Sequence, residues 1–457
     1  MGTSRGDAWF GWLAFGLCLT AGVFWSLFAG EQFIAPPGRQ GDDVFYENIG
    51  WQLSQGRGLR VDFSDRDWQQ AYRRVNLEGQ YDWVLNFKQR GDSAAWSPGL
   101  PCLVAGVYLL SDRDFLLVRL AVMVLMAAAC GWLLFEVSRR VGRLAAALGL
   151  ATLVLDRFIW QTSGEFMPEG PTAAAATALC GGAWLLGSAV RPNTTPARAG
   201  SLAAGILFGL ASLLGASWGV WLVIIAGGMV GSVAWRMLSG HWARDRNSTG
   251  IAKLMLAFLL GGLLVAAPSW ARNCLVTAGF APLGTGGSMG IVGGYCDGAL
   301  ANFGNLDVSA VRRLKEQALA EVDVRGMSLG QQEYLIGIQS LAAAREWATS
   351  NWTKLPQLFG MRIVSHLGFY GQPIALQVVN GLILFGAGLG CWSLRRSLGF
   401  WVGLLALLSL ATAALTWTQY GRCSIPLRPL LHVTCGVGTV YFWSGILRRL
   451  GFGAISR

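Results

Sequence analysis

The chain has 457 residues, of which 53% are hydrophobic and 13% are charged, and its mean hydropathy is +0.45. This composition excludes an ordinary soluble domain and indicates a polytopic membrane protein with room for many spans of roughly 20 residues each. The net charge of +11 does not indicate nucleic-acid binding, because most basic groups are arginines at the ends of apolar runs, where they orient membrane helices.

The first apolar run, residues 8–30, predicts a membrane helix that is retained rather than cleaved as a signal. Arg5 precedes it, so the N-terminus is predicted to be cytoplasmic and the following residues lie outside. A polar loop then covers residues 31–97, and two adjacent carboxylates, Asp42 and Asp43, stand near its start. Paired acids just past a membrane exit can act on a substrate whose tail lies in lipid. Simple solvation at the interface explains the same pair equally well.

This outer loop contains a predicted short helix through Tyr46 that ends at Gly56-Arg57-Gly58. The apolar residues 97–110 follow it and are too few to span a bilayer comfortably. Prolines open this stretch, so we predict an interfacial or re-entrant helix.

Further apolar runs predict membrane helices of alternating direction, and basic residues mark nearly every inner turn. These runs cover residues 115–137, 144–160, 172–190, 201–214, 218–235, 254–270, 375–394, 400–415 and 430–447. Together with the first helix they predict about ten spans, with both termini inside.

A second large outer region is predicted between the seventh and eighth spans. It opens with the Gly-rich run 284–294, which fits no dinucleotide or phosphate-loop pattern and is predicted to be a flexible loop. Residues 308–352 then show polar helical periodicity, and residues 358–369 are amphipathic and predicted to lie along the membrane surface.

The predicted fold class is therefore an all-α polytopic membrane protein with two large extracytoplasmic loops. Its five segments are a first membrane helix at 1–30, an outer loop with juxtamembrane helices at 31–114, membrane helices at 115–270, a helical second outer loop at 271–372 and C-terminal membrane helices at 373–457.

Four charged residues at other predicted outer positions are candidates for binding a phosphate or positioning a substrate. They are Glu169, Arg272, Arg422 and Arg428. Arginine binds phosphate through charge-assisted hydrogen bonds. Each residue also has a plainer explanation. Arg272 beside Trp270 fits an arginine that snorkels to the interface, which its position alone favours. Arg428 fits a structural ion pair, and Glu169 fits an acid that stabilises a helix N-terminus.

No metal site is assigned from the sequence. The histidines are scattered over different regions and form no ligand cluster: His241, His366 and His432. Asp42 and Asp43 with Glu169 offer oxygen ligands that suit a divalent ion, but nothing in the sequence requires one.

The distribution of polar residues favours chemistry at the outer surface over transport. A transporter usually buries polar groups at mid-membrane and shows two similar halves. Here the predicted spans are mostly free of charge, and acids and arginines gather on the outer side. A transporter or flippase for a lipid-linked glycan is the alternative, and transport that persists in an Asp42→Asn variant would favour it.

Five stretches, taken in order, resemble the polytopic glycosyltransferases of the GT-C class, specifically the glycosyltransferase family 39 or protein-mannosyltransferase-like group near the lipid A aminoarabinose transferases. They are Asp42-Asp43-x-x-Tyr46 with Gly56-Arg57-Gly58-Leu59, Ser97-Pro98-Gly99-Leu100-Pro101, Met167-Pro168-Glu169, Pro268-Ser269-Trp270-Ala271-Arg272-Asn273 with Gly286-Gly287, and Arg422-Cys423-Ser424-Ile425-Pro426-Leu427-Arg428-Pro429. The set covers nearly the whole chain.

The resemblance implies a sugar transferase in the cell membrane that uses a polyprenyl-phosphate sugar and an extracytoplasmic acceptor, with the active site outside. By this resemblance, Asp42 corresponds to the family's catalytic acid, with Asp43 beside it. Which of the two is the base is left open. The base would take the acceptor's proton during an inverting attack. The lipid phosphate would be stabilised by Arg272, or by Lys88 or Arg428.

The remaining candidates for substrate or phosphate binding are Arg422, Glu169 and Tyr46. Glu169 would help to position the acceptor or the neighbours of Asp42. A phosphate leaving group needs no strong general acid, so the resemblance implies that one carboxylate suffices.

Overall fold

The structure is a computed structural model that describes residues 5–28, 33–38, 41–189, 194–239, 248–395, 397–419 and 422–450. Apart from one short β-ribbon, its regular elements are helices. The first helix and the first outer loop comprise α1 (Arg5–Phe28), α2 (Asp42–Ser54), β1 (Arg60–Asp62), α3 (Arg66–Val75), α4 (Asp82–Asn86), β2 (Arg90–Asp92) and α5 (Gly99–Ser111). The two strands pair antiparallel with Val61 opposite Gly91.

The next helices form the central membrane part and the second outer region. The membrane part contains α6 (Phe115–Arg140), α7 (Arg143–Leu155), α8 (Arg157–Ser163), α9 (Glu169–Ala189), α10 (Thr195–Leu214), α11 (Ala216–Leu238) and α12 (Ser248–Thr277). The outer region contains α13 (Gly286–Gly294), α14 (Asp297–Ala301), α15 (Val308–Glu321), α16 (Leu329–Ser350), a 3₁₀ turn (Trp352–Lys354) and α17 (Leu355–His366). The C-terminal part contains α18 (Ile374–Ser393), α19 (Leu398–Leu415), a 3₁₀ segment (Arg422–Leu427) and α20 (Arg428–Arg449).

Within the described residues, seven helices are long and apolar enough to cross a membrane, or eight if α7 and α8 together make one span. This confirms a polytopic membrane protein. Two further predicted spans coincide with α9 and α11, so the count of about ten stays a prediction.

The predicted single span at 144–160 is broken. α7 and α8 are bent by 64° at Asp156, whose side chain accepts a hydrogen bond from the Phe158 backbone N–H (3.0 Å) and so caps the start of α8. In a continuous helix this N–H group would donate to a backbone carbonyl of the preceding turn. Here an N-cap side chain accepts the hydrogen bond instead, so a new helix begins at this point. The break places a carboxylate among membrane helices.

The prediction of a flexible loop at 284–294 is wrong, because residues Gly286–Gly294 form α13. Glycine is required here because neighbouring backbone packs closely against it, and not for backbone flexibility. A side chain at Gly286 would collide with the Ala95 carbonyl, and one at Gly294 would collide with the Thr416 carbonyl. α13 thereby binds the second outer region to the first outer loop and to the end of α19.

The membrane helices share one apolar core in which Met126, Leu133, Trp160 and Trp218 are almost fully buried. The outer loop adds two smaller clusters, one on each side of α2. The first includes Phe63, Trp68 and Tyr72 under the β-ribbon, and the second joins α2 to α5, α6 and the turn before α9. Helix α2 is therefore wedged between packed surfaces, and it crosses α5 where Gly50 meets Val104.

Candidate active site

Asp42 is the first residue of α2 and faces charged groups from two distant parts of the chain. Burial is the main influence on its carboxyl group and raises the pKa to about 6. Arg422 lowers this pKa, while Glu169 and Asp43 raise it. Among the described residues the Asp42 carboxylate makes no hydrogen bond, so it is available to accept a proton.

Glu169 and Arg422 form an ion pair beside Asp42. Arg422 Nε donates to Glu169 Oε1 at 2.6 Å, and both side chains are more than four-fifths buried. Glu169 Oε2 is buried and has no hydrogen-bond partner in the described residues. Tyr46, one turn along α2, is buried, and burial together with Asp42 and Glu169 raises the pKa of its hydroxyl. We call Asp42, Tyr46, Glu169 and Arg422 the Asp42 cluster.

Asp43 has a different environment, although it is adjacent in sequence. Its side chain is buried, with Oδ2 accepting from the Gly38 N–H (2.9 Å) and Oδ1 from the Val44 N–H (2.9 Å). Asp43 therefore ties the preceding loop to the start of α2, whereas Asp42 faces the cluster.

Arg428 makes the structural ion pair that was its alternative explanation. Its Nη1 donates to Asp156 Oδ2 at 2.6 Å, its guanidinium lies over the Phe158 ring, and His432 Nε2 lies 2.9 Å from the same Asp156 oxygen. The group sits at the α7–α8 break. This guanidinium is therefore held at the break by Asp156.

Arg272 and Lys88 lie apart from the Asp42 cluster. Arg272 Nη1 donates to the Ser93 carbonyl at 2.9 Å and Nη2 to the Leu59 carbonyl, so this guanidinium holds the first outer loop against α12. Lys88 is exposed before β2. Of the predicted site residues, the structure brings together Asp42, Tyr46, Glu169 and Arg422.

Glu47 is an important residue that the sequence did not single out. It is fully buried, and its oxygens accept from Trp68 Nε1 (2.6 Å), Tyr108 OH (3.0 Å) and Arg113 Nε (3.0 Å), with Tyr72 OH at 3.3 Å. Arg113 has a φ of 65°, in the left-handed region that a non-glycine residue seldom adopts. This network fixes α2 and therefore the orientation of Asp42. The sequence alone does not distinguish Glu47 from the other acids of this loop.

We expect Glu47→Ala to lower the free energy of unfolding by about 3–5 kcal/mol, because removing one partner leaves the Arg113 charge buried and uncompensated. Thermal or denaturant unfolding of the purified protein measures this. Arg57→Met is the matched control, because Arg57 is 43% exposed in its pair with Asp65, and such pairs contribute about 1 kcal/mol or less. Equal losses in both variants would contradict the structural role of Glu47.

The described residues contain no group of three or more His, Cys, Asp or Glu side chains arranged to hold a metal ion. A divalent ion at the Asp42 cluster would use the carboxylates of Asp42 and Glu169, and Glu169 Oε2 would be free to bind it. Arg422 supplies a positive charge at the same place.

A small groove of about 280 Å³, including its open mouth, lies beside the outer loop. Trp96 and Trp270 line it together with Ser97, Ser269 and Asn273. The Trp96 ring stacks on Phe45 of α2 at 4.7 Å. In the part of the chain that the structure describes, no charged side chain lines this groove, so it offers no counter-charge for a phosphate.

The fold is similar to that of the archaeal oligosaccharyltransferase AglB from Archaeoglobus fulgidus, solved with an inhibitory peptide and a dolichol-phosphate. The TM-score is 0.53 at 12% identity, over 99% of this chain and 53% of that one. An apo oligosaccharyltransferase structure from the same organism gives a TM-score of 0.51 at 12% identity, over 98% and 52%. The chain thus spans about half the length of these proteins. The similarity confirms the predicted GT-C-like membrane fold.

ArnT from Cupriavidus metallidurans, bound to undecaprenyl phosphate, matches with a TM-score of 0.37 and 15% identity over 96% of this chain and 80% of that one. A TM-score this low does not by itself indicate a common fold. No protein-family model matches the chain, and no curated protein sequence matches it.

Proposed function

We propose that the protein is a membrane glycosyltransferase that moves a sugar from a polyprenyl-phosphate donor to an extracytoplasmic acceptor. The observation that carries this proposal is the Asp42 cluster. It joins a carboxyl group of raised pKa to a buried Glu169–Arg422 pair within a GT-C-like membrane fold. The complex of AglB with a dolichol-phosphate supports a polyprenyl-phosphate partner.

Asp42 is assigned as the general base. A base works best when its pKa lies near the operating pH, and a carboxyl group with a pKa of about 6 meets this condition better than an ordinary aspartate. The acceptor hydroxyl gives its proton to Asp42 as its oxygen attacks the anomeric carbon. The bond from that carbon to the phosphate oxygen breaks, and the configuration inverts.

Arg422 is assigned as the residue that stabilises the leaving phosphate. The positive charge of its guanidinium lowers the pKa of the Asp42 carboxyl group, so this charge acts at the position of the base. A fixed positive charge stabilises the negative charge that develops on the leaving oxygen. Glu169 holds Arg422 through one oxygen. Arg272 and Arg428, which the sequence offered for this role, are engaged elsewhere in the fold.

The test is sugar transfer from a panel of polyprenyl-phosphate sugars to acceptors by the purified protein in liposomes, with and without EDTA. Turnover that Asp42→Asn abolishes supports the proposal and names the donor. Transport of a lipid-linked glycan that persists in Asp42→Asn, with no transfer from any donor, would instead favour the flippase alternative.

Donor binding can be tested separately from turnover. Cys423 follows Arg422 in the chain and is exposed at the protein surface, and Cys102 is exposed on α5. Polyprenyl phosphate bound at Arg422 should slow maleimide labelling of Cys423 and leave labelling of Cys102 unchanged. Equal protection of both thiols would indicate only a general lipid effect.

The pH dependence follows from the pKa of Asp42. The carboxyl group must be ionised to accept a proton, so we expect kcat/KM to fall as the pH decreases through about 6. If the base were an aspartate of ordinary pKa, kcat/KM would be maintained down to about pH 4. Burial sets this value together with the charges of Arg422, Glu169 and Asp43. A rate profile flat from about pH 7 to about pH 4.5 would contradict Asp42 as the base.

A further inference from the structure

Arg119 lies near the N-terminal end of α6 and contacts two loops. Its Nη1 donates to the carbonyls of Phe33 (2.6 Å) and Ala35 (2.9 Å), and its Nε donates to the carbonyl of Gly164 (3.1 Å). The side chain is 4% exposed, and its guanidinium lies 5.0 Å from the centre of the Phe166 ring. One buried guanidinium thus holds residues 33–38 and the turn between α8 and α9.

Both loops lead directly to the Asp42 cluster. The 33–38 loop is bound to the start of α2, because the Gly38 N–H donates to Asp43 Oδ2. The turn at 164–168 is packed into the protein, with Phe166 and Met167 each 1% exposed, and Glu169 begins α9 immediately after it. A shift at either loop therefore moves one side of the cluster relative to the other.

We propose that Arg119 is a positioning residue that sets the separation between Asp42 and the Glu169–Arg422 pair. This inference rests on the proposed glycosyl transfer. Arg119 acts through its geometry, since the neighbouring charges that shift the pKa of Asp42 are those of Arg422, Glu169 and Asp43. The planar guanidinium presents its donors in fixed directions and can hold both loops at once. The lysine ammonium concentrates its donors at one nitrogen, so it cannot reach the carbonyl groups of both loops in the same way.

Loss of this link should reduce the rate of the chemical step more than donor affinity. Displacement of a reacting group by about 1 Å can cost about 10²-fold in rate. Arg422 keeps its charge and its pair with Glu169, so it remains able to bind the phosphate. We therefore expect Arg119→Met to lower kcat about 10²-fold with little change in KM, the pattern of an interaction that matters in the transition state. Arg119→Lys should recover only part of the loss.

The experiment combines kinetics with hydrogen–deuterium exchange on the full-length protein in nanodiscs. Arg119→Met should accelerate exchange in residues 33–38 and in residues 164–168 together. Arg140→Met is the matched control, because Arg140 is also a largely buried arginine of α6 but pairs with Glu136 at the inner end (2.9 Å). It should change neither exchange at these loops nor kcat.

A fall in kcat with unchanged exchange at both loops would overturn the positioning role. So would accelerated exchange at both loops with wild-type kcat. If the wild-type protein transfers no sugar from any donor, the proposed function fails. The exchange data would then still decide whether Arg119 ties the two loops, so the two failures are distinguishable.

Discussion

Replacement of Asp42 by asparagine is expected to lower kcat/KM by about 10²–10⁴-fold, the range that general-base catalysis contributes. The side chain keeps its shape but cannot accept the acceptor's proton. Transfer of labelled sugar from the polyprenyl-phosphate donor measures the loss. Donor binding, read from protection of Cys423, should persist because Arg422 is unchanged.

The same variant should not be less stable at about pH 7. The pKa of Asp42 is raised on folding, so its ionised form is disfavoured in the folded protein above about pH 6. Ionised Asp42 therefore lowers the stability of the folded protein at pH values above its folded-state pKa. This loss of stability disappears at pH values below its unfolded-state pKa of about 4. The asparagine that replaces Asp42 carries no charge, so the melting temperature at about pH 7 should be maintained or rise, and the difference from wild type should vanish near about pH 4.

Asp43→Asn is the matched control, because the two acids are adjacent and of the same chemistry. Asp43 accepts two backbone N–H bonds at the start of α2, and hydrogen bonds to a charged group contribute about 1.5–3 kcal/mol each. We expect this variant to lose stability and to retain measurable turnover at low temperature. Full loss of turnover in Asp43→Asn with normal activity in Asp42→Asn would reassign the base to Asp43.

The second large effect is expected from Arg422→Gln, which removes the positive charge of the Asp42 cluster. It leaves Glu169 buried without its partner, so we also expect a loss of stability of about 3–5 kcal/mol. We expect kcat of the folded fraction to fall about 10²–10³-fold, as for the loss of one group that stabilises charge in a transition state. The acid limb of the pH profile should also move to higher pH, because Arg422 lowers the pKa of Asp42. The rate profile between about pH 5 and about pH 9 measures both effects.

Arg428→Gln is the variant to compare with Arg422→Gln, because Arg428 lies six residues further along the chain. It breaks the buried pair with Asp156, so we expect a stability loss of about 3–5 kcal/mol with kcat of the folded fraction close to wild type. If Arg428→Gln instead abolished turnover without loss of stability, and Arg422→Gln did not, the phosphate would be assigned to Arg428.

Much of the fold could be predicted from the sequence, because hydropathy and helix-breaking residues act locally. The apolar runs at 115–137 and 400–415 became α6 and α19, and the helix through Tyr46 became α2. The two errors concern residues whose structure depends on distant contacts. Asp156 breaks a helix by capping it, and Gly286 and Gly294 pack against the first outer loop and the end of α19.

The candidate site was predictable only in part. The sequence predicted Asp42, Glu169 and Arg422 to be outward-facing charges with the residue types that the chemistry requires, but it favoured Arg272 and Arg428 over Arg422 for the phosphate. It gave no reason to single out Arg119 or Glu47, because their importance lies in the loops and helices that they connect.

Hydropathy along the chain is enough to establish a polytopic membrane protein with its charged residues concentrated in the loops, because transfer of apolar residues into lipid depends on composition along short stretches. Which charges meet depends instead on the packing of segments that are distant in the chain. Glu169 pairs with Arg422, and Asp156 pairs with Arg428, across more than 250 residues of chain in each case. Such pairing depends on which surfaces pack together, and a buried charge acquires its pKa and its role from the neighbours that packing supplies.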